Sequence, residues 1–126
     1  MIKTAAVLFG IVFILIGILG FVPGVTDNEM LLGIFHVNAA HNVVHLLSGA
    51  VALFAGMTSA GASRIYFRVF GVIYGLVAIL GLMNMGQHTM LLGLISNNDA
   101  VTFLHIAIAA VSLLLGFMPA RSEPVV

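Results

Sequence analysis

Two histidines in the stretch "HNVVHLLS", His41 and His45, stand four residues apart at the front of an apolar run. On a helix that spacing puts both imidazoles on one face, one turn apart. Such a pair can hold one metal ion from a single helix, and a third histidine, His105, occupies a similar position in a later apolar run. Three imidazoles with a position left open suit zinc or copper, because magnesium and calcium prefer oxygen donors. Asp99, His36, His88 and Glu29 lie near the ends of the same runs, where they can complete the ligand shell or orient it. Asn38, Asn42 and Asn98 form the surrounding polar set. Asn38 and Asn98 are suited to N-cap a helix, and all three can bond between helices.

Other chemistries compete for these residues. Imidazoles and asparagines near the ends of membrane helices often tie helices together, which makes the cluster a brace for the bundle. Haem b is a further reading, with His45 and His105 as axial ligands and Gly49 and Ala109, each four residues on, leaving room for a flat ring. Its propionates would then meet acidic residues rather than Lys or Arg. A proton path across the membrane lacks stepping stones: Tyr74 and Asn84 are polar in the third run, and Tyr74 reads as packing. Ser48 lies three residues from His45, but no acid is placed to orient that base, so a hydrolytic triad is not supported. The weight therefore falls on a brace or a cation site rather than on an enzyme. A homo-oligomer, or an accessory subunit of a larger membrane complex, is the interaction-protein alternative.

The elements that must position these residues follow from composition. Of 126 residues, 62% are hydrophobic and 6% charged, with a mean hydropathy of +1.25. A soluble domain of this size cannot hide that much apolar surface, so the partner implied is the lipid bilayer. The net charge of zero implies no nucleic-acid partner, and without cysteine there is no disulfide or thiol chemistry. Four apolar runs, 5–22, 39–57, 66–85 and 100–118, each approach the roughly 20 residues a helix needs to cross a bilayer. They are continuous rather than alternating, which excludes barrel strands. The expected fold is all-α, a four-transmembrane-helix bundle in a single membrane domain, 1–126. The first run is expected to be retained, because "FVPGVTDNE" offers no cleavage site for a signal peptidase.

The chain also matches itself. Residues 30–56 align without a gap to 90–116 with eleven of 27 positions identical, among them Asn38 over Asn98 and His45 over His105. Upstream, 9–21 aligns to 70–82. Shared membrane composition accounts for matched Leu, Ala and Gly, but not for matched Asn and His. The expectation is a duplicated two-helix unit, repeat one 1–60 and repeat two 61–126, related by a pseudo-twofold axis along the membrane normal. The second and fourth helices would face each other, with His45 and His105 at one depth, about 9 Å inside the boundary. His41 is matched by Val101, so the site would be asymmetric. The recurrent glycines (Gly49, Gly56, Gly71, Gly75, Gly81 and Gly116) suit close helix packing, and "GVIYG" is a GxxxG match.

Lys3, Arg64, Arg68 and Arg121 fall on one side of a four-span chain, whereas Asp27, Glu29 and Asp99 fall on the other. The positive-inside rule then puts both termini in the cytoplasm and the histidine cluster on the outward face of a bacterial plasma (inner) membrane. The segments "GFVPG" (20–24), "LLGIFHVNAAHNVVHLLSGAVAL" (31–53), "GVIYGLVAILGL" (71–82) and "NNDAVTFLH" (97–105) make the chain resemble the small bacterial integral-membrane family catalogued as domain of unknown function 4383. The resemblance covers almost the whole chain. It implies a multi-pass membrane fold and no particular reaction.

Overall fold

Four helices carry the apolar runs: α1 (Ile2–Leu19), α2 (Ala39–Thr58), α3 (Ala60–Leu82) and α4 (Asp99–Phe117). All four are long and apolar enough to cross a membrane. The computed structural model describes residues 1–86, 89–93 and 95–119. Side chains such as Leu8, Phe54, Leu76 and Leu114 point outward and stay exposed. In water that surface would be prohibitive; in lipid it is the solvent-facing side of a multi-pass membrane protein.

Helices α1 and α2 pack along each other, as do α3 and α4, and α3 also touches α2 and α1. Helices α2 and α4 approach each other through side chains, with the His41 and His105 ring centroids 5.9 Å apart. Ser59 ends α2 and begins α3, its Oγ accepting from the Ala62 N–H at 2.9 Å. That cap lets α3 start six residues before the apolar run, so Arg64 and Arg68 lie within the helix rather than beside its start. Arg68 Nε donates to the Gly116 carbonyl at 2.6 Å, and its guanidinium lies 5.0 Å above the Phe117 ring. The Arg121 position lies outside the described residues.

Matched positions make matched contacts. A Cβ on Gly10 would meet Leu53 N at 2.7 Å; one on Gly71, its counterpart, would meet Leu113, the counterpart of Leu53, at 2.9 Å. Gly56 closes on Val7 as Gly116 closes on Arg68, and Gly20 closes on Asn42 as Gly81 closes on Thr102. Gly75 breaks the pattern. Nothing lies within 4 Å of the place its Cβ would take, so only the first glycine of "GVIYG" serves packing.

The connections at the other end fold into small antiparallel sheets. Strands β1 (Thr26–Asp27), β2 (Met30–Leu31) and β3 (Phe35–His36) form one; β4 (Thr89–Leu91) and β5 (Ile95–Asn97) form the second. Met30 pairs with His36 as Met90 pairs with Ser96. Both hairpins turn through a Leu-Gly pair with positive φ, Leu32 (54°) and Gly33 (69°), then Leu92 (56°) and Gly93 (66°). A leucine there costs roughly 1–2 kcal/mol, which the matched hairpins both bear. The hairpins cross over: Asn98 Nδ2 donates to the Ile34 carbonyl at 3.0 Å, and the Ser96 N–H approaches Asn38 Oδ1 at 3.4 Å. Each sheet thus covers the start of the other half's second helix.

Candidate metal centre

The site begins with two caps of the same design. Asn38 (φ −142°) accepts from the His41 N–H through Oδ1 at 2.9 Å, and Asn98 (φ −147°) accepts from the Val101 N–H at 3.0 Å. Each cap satisfies a backbone donor that the first helical turn leaves unpaired. Each also sets the phase of its helix, so that a histidine seven residues later turns into the bundle: His45 on α2 and His105 on α4. His41, one turn before His45, turns in with it. Its ring centroid lies 4.6 Å from that of His45 and 5.9 Å from that of His105.

All three are nearly sealed, with exposures of 4%, 2% and 3% for His41, His45 and His105. One ring nitrogen from each lies within 4.8 Å of the others. Both nitrogens of His41, both of His45 and Nδ1 of His105 have no hydrogen-bond partner. A buried donor or acceptor without a partner costs about 1–3 kcal/mol, so five such atoms together demand a physical reason. A shared cation supplies one, because a neutral imidazole binds metal through the lone pair left unused here. Tetrahedral zinc with Zn–N bonds of about 2.0–2.1 Å holds its donors about 3.4 Å apart. The three nitrogens must therefore draw together by up to about 1.4 Å, within the reach of small ring rotations.

The floor is aromatic. Phe13 stacks on His45 at 4.9 Å and 20°, and Tyr74 lies 5.6 Å from His105 and edge-on to Phe13 at 5.8 Å. Tyr74 donates to Ser48 Oγ at 3.3 Å, and Tyr66 donates to the Ser48 carbonyl at 3.0 Å. Below them Phe9 stacks on Phe13 at 4.2 Å, and Tyr66 on Phe70 at 4.3 Å. The cluster is thus closed toward the termini. The pairing of Tyr74 with Ser48 was not anticipated, although the signal was available: both are polar tips at mid-span of otherwise apolar helices.

The remaining predicted residues fall around the cluster rather than in it. Asp99 Oδ1 accepts from the Gly86 N–H at 2.8 Å, which joins the exit of α3 to the start of α4. His36 lies at the hairpin end, where its ring faces Glu29 and the Asn97 carbonyl. His88 lies outside the described residues. Asn42 is buried over the end of α1, where Gly20 leaves room for it. Thr102, its counterpart, pairs with the Asn97 side chain at 3.1 Å. The ring slot that haem b would need beside Gly49 is filled, because α1 approaches there: a Cβ on Gly49 would meet Ile14 Cγ1 at 2.7 Å and Gly10 O at 2.8 Å. Beside His45 the ring position is taken by Phe13, which stacks on it.

A family model described as domain of unknown function (DUF4383) matches residues 3–118. No curated protein and no solved structure matches the chain.

Proposed function

The chain belongs to the DUF4383 family, and on that premise we propose that it is a metal-binding protein of the plasma membrane that holds a zinc- or copper-class cation on His41, His45 and His105. The observation that carries this reading is the convergence of three buried imidazoles from two helices with five unpartnered nitrogens. Interhelical bracing by hydrogen bonds would have left those nitrogens paired. Their burial inside the bundle also argues against a contact surface for a larger complex. The protein supplies a rigid frame of two capped helices and a dry aromatic floor, which excludes water from one side of the ion. The site is asymmetric about the pseudo-twofold axis that the matched contacts support, and we attribute the two halves to duplication of one two-helix unit.

Lys3, Arg64 and Arg68 lie toward the end with the termini, whereas Asp27, Glu29 and Asp99 lie toward the hairpins. By the positive-inside rule the termini are cytoplasmic and the imidazoles sit in the outer half of the membrane. The test is metal analysis of the detergent-purified protein, equilibrated with zinc or copper and desalted. The wild type should retain about one equivalent and a His45→Ala, His105→Ala variant none. A folded wild type that retains no metal contradicts the proposal.

A further inference from the structure

We infer that His36 and Glu29 form a second cation site, at the hairpin end, through which metal reaches the buried imidazoles; this rests on the proposed metal centre. Among the described residues Phe13, Tyr74 and the rings beneath them close the floor below the cluster, which leaves the hairpin side as the approach assigned to the cation. His36 guards that side. It ends β3, two residues before the α2 cap Asn38, and its Nδ1 lies 3.2 Å from the carbonyl of Asn97, the residue before the α4 cap Asn98. One imidazole therefore bridges the starts of the two helices that carry the cluster.

The hydrogen bond decides which nitrogen faces Glu29. A carbonyl oxygen can only accept, so the proton sits on Nδ1 and the lone pair of neutral His36 is on Nε2. Nε2 points at the Glu29 carboxylate, 3.7 Å from Oε2. A tetrahedral zinc-class ion, bound at about 2.0–2.2 Å by nitrogen and oxygen, separates two such donors by about 3.4 Å. The pair is thus nearly spaced to take an ion between its atoms.

Its exposure is graded. The Glu29 side chain is 61% exposed, the His36 side chain 16% and His41 only 4%. Ligands along this line become progressively drier, and the first carries the negative charge that attracts a cation from solution. Glu29 is also held in place. It adopts φ 62° in the turn between β1 and β2, and its carbonyl accepts from the Val37 N–H at 2.8 Å. The equivalent positions in the second half are Thr89 and Ser96, so only one half has this pair.

Cobalt(II) tests the inference, because its visible absorption reports tetrahedral nitrogen coordination. In stopped-flow loading of the detergent-solubilised full chain, His36→Ala and Glu29→Gln should reach the wild-type final absorbance about tenfold more slowly, as expected for a charge that acts on association. The His45→Ala, His105→Ala variant should keep a weak cobalt site that Glu29→Gln removes. Wild-type loading rates in both single variants would overturn the inference and leave the buried site standing. Loss of the final absorbance in His36→Ala would make His36 a ligand of the buried ion, which also overturns it. If His36→Ala fails to fold, Glu29→Gln on the exposed turn decides alone. A folded wild type that takes up no cobalt overturns both proposals.

Discussion

The two halves of the molecule share a scaffold and differ in the chemistry they mount on it. At their caps, their Leu-Gly turns and three matched glycine contacts, the α1–α2 unit and the α3–α4 unit pack alike. Yet one half presents His41, Phe13 and Ser48 to the centre where the other presents Val101, Tyr74 and Ile108. Shape is held where backbones cross and side chains have no room to vary. Polarity varies where two halves meet, because a site needs one set of ligands rather than two. Symmetry is thus a property of packing here, and asymmetry a property of the candidate site.

The comparison can be broken most severely where backbones touch. Gly49→Leu would drive a side chain into α1 at Ile14 and Gly10. It should cost about 3 kcal/mol or more, read as loss of folded yield and a lower Tm. In the other half Gly71→Leu, at the contact of α3 with α4, meets Leu113 and should behave alike. Next in size, His41→Val makes the first half resemble the second. It should weaken metal binding by more than the about 10–100-fold that outer-shell changes cost, measured by competition with a chelator. The reverse change, Val101→His, should offer a fourth imidazole and shift the cobalt spectrum toward a closed four-nitrogen site. Because Val101 is fully buried, the added volume should destabilise the metal-free protein by about 1–3 kcal/mol. Asn38→Ala and Asn98→Ala should each cost about 1 kcal/mol or more, since each removes a capping bond and a bond to the other hairpin. Gly75→Ala should be the smallest effect, a gain of about 0.5–1 kcal/mol, because a Cβ there meets nothing.

What could be read in advance follows the same division. The four spans were legible because lipid demands length and apolarity of every crossing helix, and residues 2–19, 39–58, 60–82 and 99–117 meet that demand. The caps were legible because Asn38 and Asn98 carry a side chain that an N-cap favours, each directly before an apolar run. The hairpins were not: strands of two or three residues are too short to show a period, and Leu32 and Leu92 occupy turn positions that usually hold glycine or asparagine. The histidines that converge could be named from helical spacing and the repeat. Their surroundings could not, because Phe13 on His45 and Tyr74 on Ser48 are contacts between helices whose rotation no single-helix pattern records. Asp99 illustrates the limit, since its place beside the cluster in sequence became a bond to Gly86 in space.

The central claim is that His41, His45 and His105 ligate one ion together, and X-ray absorption at the metal edge tests it most directly. With zinc bound, the account predicts three imidazole nitrogens at about 2.0–2.1 Å, falling to two in His41→Val. A wild-type spectrum with one imidazole or none, or one unchanged by that substitution, would contradict it.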